Sequence, residues 1–216
     1  MPSQPHTTPH LPTRALSKPL ARRLLSDVAR RAQQWRATQL INSALTLADE
    51  PSLVLDLPCA ADGFWPLLSS SDSRVVIAAN ADAEHLTEAL TRALTGLHSA
   101  FTSRVHALQS SVFAIELDAN AVDCIFCMHC LHQVDDPLRR MALLQEFNRV
   151  TRDSVIISVW VDGNLEALGH KQRDGQIYPR RQIEREFIAA GFTITGHRDF
   201  IPGLAMLRLY VLHKRG

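Results

Sequence analysis

No stretch of this chain approaches the ~20 consecutive apolar residues that cross a bilayer, which excludes a membrane-spanning helix. The segment from Met1 to Pro12 is Pro-, His-, Ser- and Thr-rich and lacks the apolar core of a secretory signal. A disordered tail over residues 1–13 is expected there. A cytoplasmic location follows as the expectation, with the four cysteines reduced. The net charge is only +1, so nothing drives the whole chain toward nucleic acid or a membrane surface. Internal repeats are lacking, and nothing marks a second globular domain.

What is present is an ordinary globular balance, 46% apolar and 21% charged over 216 residues, enough for one sizeable core. The charge is unevenly placed. Residues 1–40 hold seven bases (Arg14, Lys18, Arg22, Arg23, Arg30, Arg31 and Arg36) against Asp27 alone. Such an arm can meet an anionic partner. The plainer reading is a solvated helix face. Nucleic acid is not favoured, because the bases lack aromatic interleaving.

From Leu16 to Leu47 the pattern is helical, with Leu20, Leu24, Val28 and Ala32 recurring every four residues. Short apolar runs then read as strands at 52–57, 74–79, 104–108, 122–128 and 154–161. Helices are expected at 64–68, 83–97, 137–150 and 180–190. Asp135 or Asp136 can cap the third of these, Pro137 suits its first turn, and Gly191 closes the last. Strands at 193–199 and 206–213 end the chain. Alternating strands and helices argue a parallel sheet with helices on both faces, and a closing pair on a short connection is antiparallel. The fold class is therefore α/β: a Rossmann-like, seven-stranded, mostly parallel sheet over residues 51–216, its last strand antiparallel, preceded by a helical extension over 14–50. Ligands of such sheets sit beyond the carboxyl ends of the strands. That selects the loops after Leu57, Asn80, Met128 and Val161, together with Ser110, Ser111 and Val112 after the third strand.

Three segments at these places carry a resemblance. They are Leu53-Val-Leu-Asp-Leu-Pro-Cys-Ala-Ala-Asp-Gly63, then Val75-Val-Ile-Ala-Ala-Asn-Ala-Asp-Ala-Glu-His-Leu86, and Asn120 to Pro137 with Leu144-Gln-Glu-Phe-Asn-Arg-Val150. The most specific element is Leu131-His-Gln-Val-Asp-Asp-Pro137 after an acid-led strand. In these the chain resembles the class I S-adenosylmethionine-dependent methyltransferases over Leu53 to Val211. It looks closest to the broad group that includes the ubiquinone and menaquinone C-methyltransferases. The resemblance implies S-adenosylmethionine as cofactor. It implies cofactor contacts from Asp56, Pro58, Cys59, Ala60, Asp62 and Gly63, from Asn80 and Ala81 at the ribose, from Ser111 and Val112 at the adenine, and from His129. It also implies that the basic N-terminal helix can act as a lid.

The sequence departs from that family where it touches the cofactor. Pro58, Ala60 and Asp62 stand where three glycines are common. Pro58 removes an amide donor, Ala60 adds a methyl, and Asp62 brings a carboxylate near the cofactor's own. Asn80 replaces an acid that would bind both ribose hydroxyls. An amide lacks the charge, and about 1–3 kcal/mol of binding goes with it. On this reading an Asn80→Asp variant should bind cofactor more tightly.

Methyl transfer from an activated donor asks the protein to position the acceptor and to take a proton. His132 and His129 are the candidate bases, with Asp162 as a third catalytic candidate; the plainer role for each is to order its loop. Phe64 and Trp65 read as core, and Tyr178 as a candidate wall of an acceptor pocket. Cys124, Cys127 and Cys130 invite a metal. However, strand positions three apart point to opposite faces, so Cys124 and Cys127 cannot share an ion, and no metal is expected. The acceptor is open: a small molecule, a lipid-linked sugar, a protein side chain or a tRNA base. Two further readings stand beside a working methyltransferase. One is a methyltransferase-like binding or scaffold subunit with weak or no cofactor binding. The other is a different small-ligand enzyme on the same fold.

Overall fold

The structure is a computed structural model and describes residues 18–59, 64–69, 71–96, 103–169 and 175–216. The expected tail at 1–13 and residues 60–63 of the loop after the first strand, Ala60, Asp62 and Gly63 among them, lie outside the described residues. The chain divides into two units, Met1–Arg36 and Ala37–Gly216. The first unit is described only as the start of helix α1, which spans Lys18–Leu47.

The second unit is built on seven strands in the order β3-β2-β1-β4-β5-β7-β6. These are β1 (Leu53–Asp56), β2 (Val75–Asn80), β3 (Val105–Gln109), β4 (Val122–Cys127), β5 (Thr151–Trp160), β6 (Phe192–Asp199) and β7 (Leu207–Lys214). The first five run parallel, and β7 is antiparallel to both β5 and β6. The order reverses between β1 and β4, which makes the crevice above their carboxyl ends the topological switch point. Helices α2 (Trp65–Leu68), α3 (Ala83–Gly96), α4 (Pro137–Val150), α5 (Leu165–Gly169) and α6 (Arg180–Ala189) complete the unit.

The period-two alternation of the strands sorts their side chains into two cores. Leu55, Ile125, Val155 and Ile157 face one side, against Leu143, Leu144 and Phe147 of α4 and Ile183 and Phe187 of α6. Val54, Val76, Cys124, Phe126 and Ile156 face the other, against Trp65, Leu68 and Leu86 and the Ile41–Ala44–Leu45 stripe of α1. Cys124 and Cys127 do fall on opposite faces. Helix α4 runs over the expected residues, with the Asp136 carboxylate accepting from the Leu138 amide at 2.9 Å and Pro137 in the first turn.

The alternation of strand and helix is broken in one place. No helix separates β3 from β4. The connection is instead clipped to α4. The Ile115 amide donates to Glu146 (2.7 Å), and Arg149 donates to the carbonyls of Leu117 (2.8 Å) and Ile115 (3.0 Å). Glu146 and Arg149 belong to the third resemblance segment, and this is what they do. The expected lone loop after β5 also differs, since it contains the short helix α5. No helix among the described residues is long and apolar enough to cross a membrane.

Candidate functional site

Asp56 ends β1 and is buried, 3% exposed. Its partner is the Trp65 indole, whose Nε1 donates to Oδ2 at 2.7 Å. Burial pushes the carboxyl up to about 7, against the opposing effect of that hydrogen bond. Trp65 and Phe64 are core residues, Phe64 packing edge-on against Phe126 at 5.6 Å. The lost amide of Pro58 leaves no gap in the ladder. After a cis Leu57–Pro58 bond the flanking amides carry it: Leu57 donates to the Phe126 carbonyl (3.0 Å) and Cys59 to the Ala79 carbonyl (2.8 Å). Cys59 is buried, and desolvation with Asp56 nearby raises its thiol to about 12, so it is an inert packing group.

Asn80 ends β2, and its amide has a structural task that sequence could not show. Nδ2 donates to the Cys59 carbonyl (2.8 Å), and Oδ1 accepts from the Asp82 amide (2.9 Å). Both partners are backbone groups of fixed polarity, so the orientation of the side-chain amide is determined. Asn80 thus braces the loop after β1 against the loop after β2. It keeps one N–H and one lone pair for a ligand. Asp82 caps α3 through the Glu84 and His85 amides, which holds its carboxylate below the usual range. Ala81 is exposed beside them. After β3, Ser110 donates its amide to the Asn80 carbonyl (3.0 Å), Ser111 Oγ accepts from the Phe113 amide (3.2 Å), and Val112 packs against the core.

The loop after β4 carries the two histidines in different settings. His129 has a left-handed backbone, φ 56°, anchored by its amide on Ser158 Oγ at 2.8 Å. Its ring meets solvent on one side, and the protein packed around it lowers its pKa by desolvation, leaving a neutral imidazole near pH 7. His132 sits inside, 6% exposed, stacked on Trp160 at 4.0 Å and 11°. Gly175 (φ +130°) closes over this stack. A Cβ there would lie 2.7 Å from His132 Cδ2 and 2.9 Å from Trp160 Cζ3, so only glycine fits. The imidazoles of His129 and His132 are 6.1 Å apart, centre to centre.

This loop is held by a buried guanidinium that the sequence reading missed. Arg140, 1% exposed, makes a bidentate pair with Glu186 (2.9 and 2.8 Å) and donates through Nη1 to the carbonyls of Val134 (3.1 Å) and Asp135 (2.7 Å). Its guanidinium lies 4.6 Å over the Tyr178 ring. Tyr178 is no pocket wall. It is buried, with its hydroxyl on the Val134 carbonyl (2.6 Å) and near that of Leu131 (3.0 Å).

After β5, Asp162 accepts from the Arg180 amide (3.1 Å), and Asn164 caps α5 through the Ala167 amide (2.9 Å). Between them lies a hollow of about 310 Å³ lined by Asp162, Gly163, Ala167, Leu168, Gly175, Gln176 and Ile177. Among the described residues no cluster of His, Cys, Asp and Glu could hold a metal ion.

Two outcomes follow from this geometry. Replacing Asn80 by Asp removes the donor to the Cys59 carbonyl and sets a carboxylate against it. The sequence reading expected tighter cofactor binding from this change. The expected outcome is now a stability loss of about 1–3 kcal/mol, read from urea unfolding. For Asp56 the folded pKa of about 7 exceeds the unfolded value near 3.8, so its contribution favours folding at low pH and is lost as pH rises through 7. An Asp56→Asn variant should match the wild type in urea midpoint near pH 4 and exceed it by a growing margin up to pH 7.

Comparison with known proteins bears on the fold. Residues 55–159 match the methyltransferase domain family. No curated protein matches the chain. Among solved structures, magnesium protoporphyrin IX methyltransferase from Synechocystis, with bound S-adenosylhomocysteine, superposes with TM-score 0.68 at 13% identity, over 85% of this chain and 84% of that one. The S-adenosylmethionine-dependent methyltransferase SibL gives TM-score 0.69 at 18% identity, over 93% of this chain but 60% of its own. A possible exported protein from Bordetella parapertussis gives 0.60 at 15% identity, over 76% of this chain and 62% of that one. The match is to the methyltransferase domain in general rather than to the quinone C-methyltransferases. Residues 55–159 thus match the methyltransferase domain family, and the sheet that carries them has the fold of S-adenosylmethionine-dependent methyltransferases among solved structures.

Proposed function

We propose that the chain binds S-adenosylmethionine across the carboxyl ends of β1, β2 and β4 and methylates an acceptor seated beyond β5. The observation that carries this is the gathering of Asp56, Asn80, Ser111, Val112 and His129 at one edge of the sheet, at its switch point. The residues present fit the cofactor. The free N–H and lone pair of Asn80 suit a ribose diol, whose hydroxyls both donate and accept. Ser111 and Val112 offer a polar and an apolar contact to an adenine. Bound S-adenosylmethionine supplies an activated methyl group on a sulfonium. The chain's part is positioning and proton removal. His129 suits the second task better than His132, because its ring is reachable and neutral. The hollow beside Asp162 and Gly175 is the place for the acceptor, with Asp162 as a carboxylate on its wall among the described residues.

A second reading is a binding or scaffold protein on the same fold, and one observation favours it. Asn80 already serves the loop, so its brace competes with ribose contact. Titration calorimetry with S-adenosylhomocysteine separates the two readings. The expected result is saturable binding at one site with a micromolar Kd, about −8 kcal/mol. An Asn80→Ala variant should bind about tenfold more weakly. Absence of heat at millimolar ligand with folded wild-type protein overturns the proposal and leaves the scaffold.

A further inference from the structure

The end of β4 reads Cys127-Met128-His129-Cys130, a pair of cysteines two residues apart. Along a continuing strand they would point to opposite faces. The strand stops at Cys127, however, and His129 turns the chain with its left-handed backbone. Cys130 then takes a helical conformation (φ −98°, ψ −50°) and opens a 3₁₀ turn over Leu131–Gln133. Both side chains are buried in the same core, near enough that each thiol shifts the acidity of the other. Each side of the turn is pinned: His129 by Ser158 Oγ, and Cys130 by its carbonyl, which accepts from the Gln133 amide at 3.0 Å. Two neighbouring thiols on one short turn react with each other far faster than with anything in solution.

We propose that Cys127 and Cys130 form a redox-active dithiol site that a hydroperoxide converts to a disulfide. Cys130 is the attacking sulfur. It keeps 7% of its surface exposed while Cys127 keeps none. It is also the more acidic thiol: the neighbouring Cys127 lowers it, whereas Cys130 and burial raise Cys127. The Cys130 thiolate attacks one peroxide oxygen. An S–O bond forms, the O–O bond breaks, and the leaving oxygen departs as alcohol or water after taking the proton that Cys130 gave up. Cys127 Sγ then attacks the sulfur of the sulfenic acid. The S–S bond forms, the S–O bond breaks, and the departing hydroxide takes the Cys127 proton as water. Two thiols lose two electrons, and the peroxide gains them. The other two cysteines stay out. Cys59 and Cys124 belong to the opposite core, and burial raises each thiol to about 12.

The test is hydrogen peroxide treatment of the full chain, followed by quenching, alkylation in denaturant and peptide mass mapping. The expected result is loss of two of the four alkylatable thiols, an intramolecular Cys127–Cys130 link as the major species, and recovery with dithiothreitol. In Cys127→Ser the reaction should stop at a sulfenic acid on Cys130, trapped by dimedone. In Cys130→Ser, Cys127 should stay alkylatable. Four alkylatable thiols in the treated wild type, or a link through Cys59 or Cys124, would overturn the proposal, and neither result depends on a variant folding.

Discussion

The site depends on one buried cation. The loop after β4 has no hydrogen-bonded ladder of its own beyond a single 3₁₀ turn, yet it must hold His129 over the switch point. Arg140 supplies what the loop lacks, two donors for its carbonyls. It is neutralised from behind by a bidentate carboxylate and covered by the Tyr178 ring. A buried guanidinium is costly to desolvate, and it is tolerated here because four of its five N–H groups meet acceptors. The pair ties three elements together: α4 provides the arginine, α6 the glutamate, and the segment before α6 the tyrosine. The loop therefore inherits its rigidity from helices on one face of the sheet. The cofactor-side loops are held differently, by the amide of Asn80.

The fold was largely legible in the sequence because its strands are short, apolar and punctuated. The buried runs at 53–56 and 122–127 end where proline or a turn stops them, and α4 carries both its cap and its proline. Helix α5 was not legible. It is five residues long with no buried side chain, so it leaves no amphipathic pattern. The absence of a helix between β3 and β4 was legible, but not what clips that connection, two side chains of α4 about thirty residues downstream.

The candidate site was legible as places and illegible as partnerships. Position along the strands put Asp56, Asn80, His129 and Asp162 at one edge. What each side chain does there depends on contacts across the chain: Arg140 with Glu186, Tyr178 with Val134, Asn80 with Cys59. None of these pairs has a local spacing to betray it. Asn80 shows the consequence. As a substitution in a motif it is a loss of charge; as a residue in the structure it fastens the loop that Pro58 deprives of an amide. The Cys127 and Cys130 pair is the reverse case. Its spacing was in plain view, and the strand rule that correctly parted Cys124 from Cys127 stops applying once His129 turns the chain.

The central claim is that a loop braced by Asn80, rather than a run of glycines, seats the cofactor at the switch point. A crystal structure of the chain with S-adenosylhomocysteine tests it most directly. The account predicts the ribose against Asn80, the adenine beside Ser111 and Val112, and the sulfur facing His129, with the Asn80–Cys59 bond intact. Ligand density elsewhere on the protein, or a ribose site formed only after Asn80 has released Cys59, would contradict it.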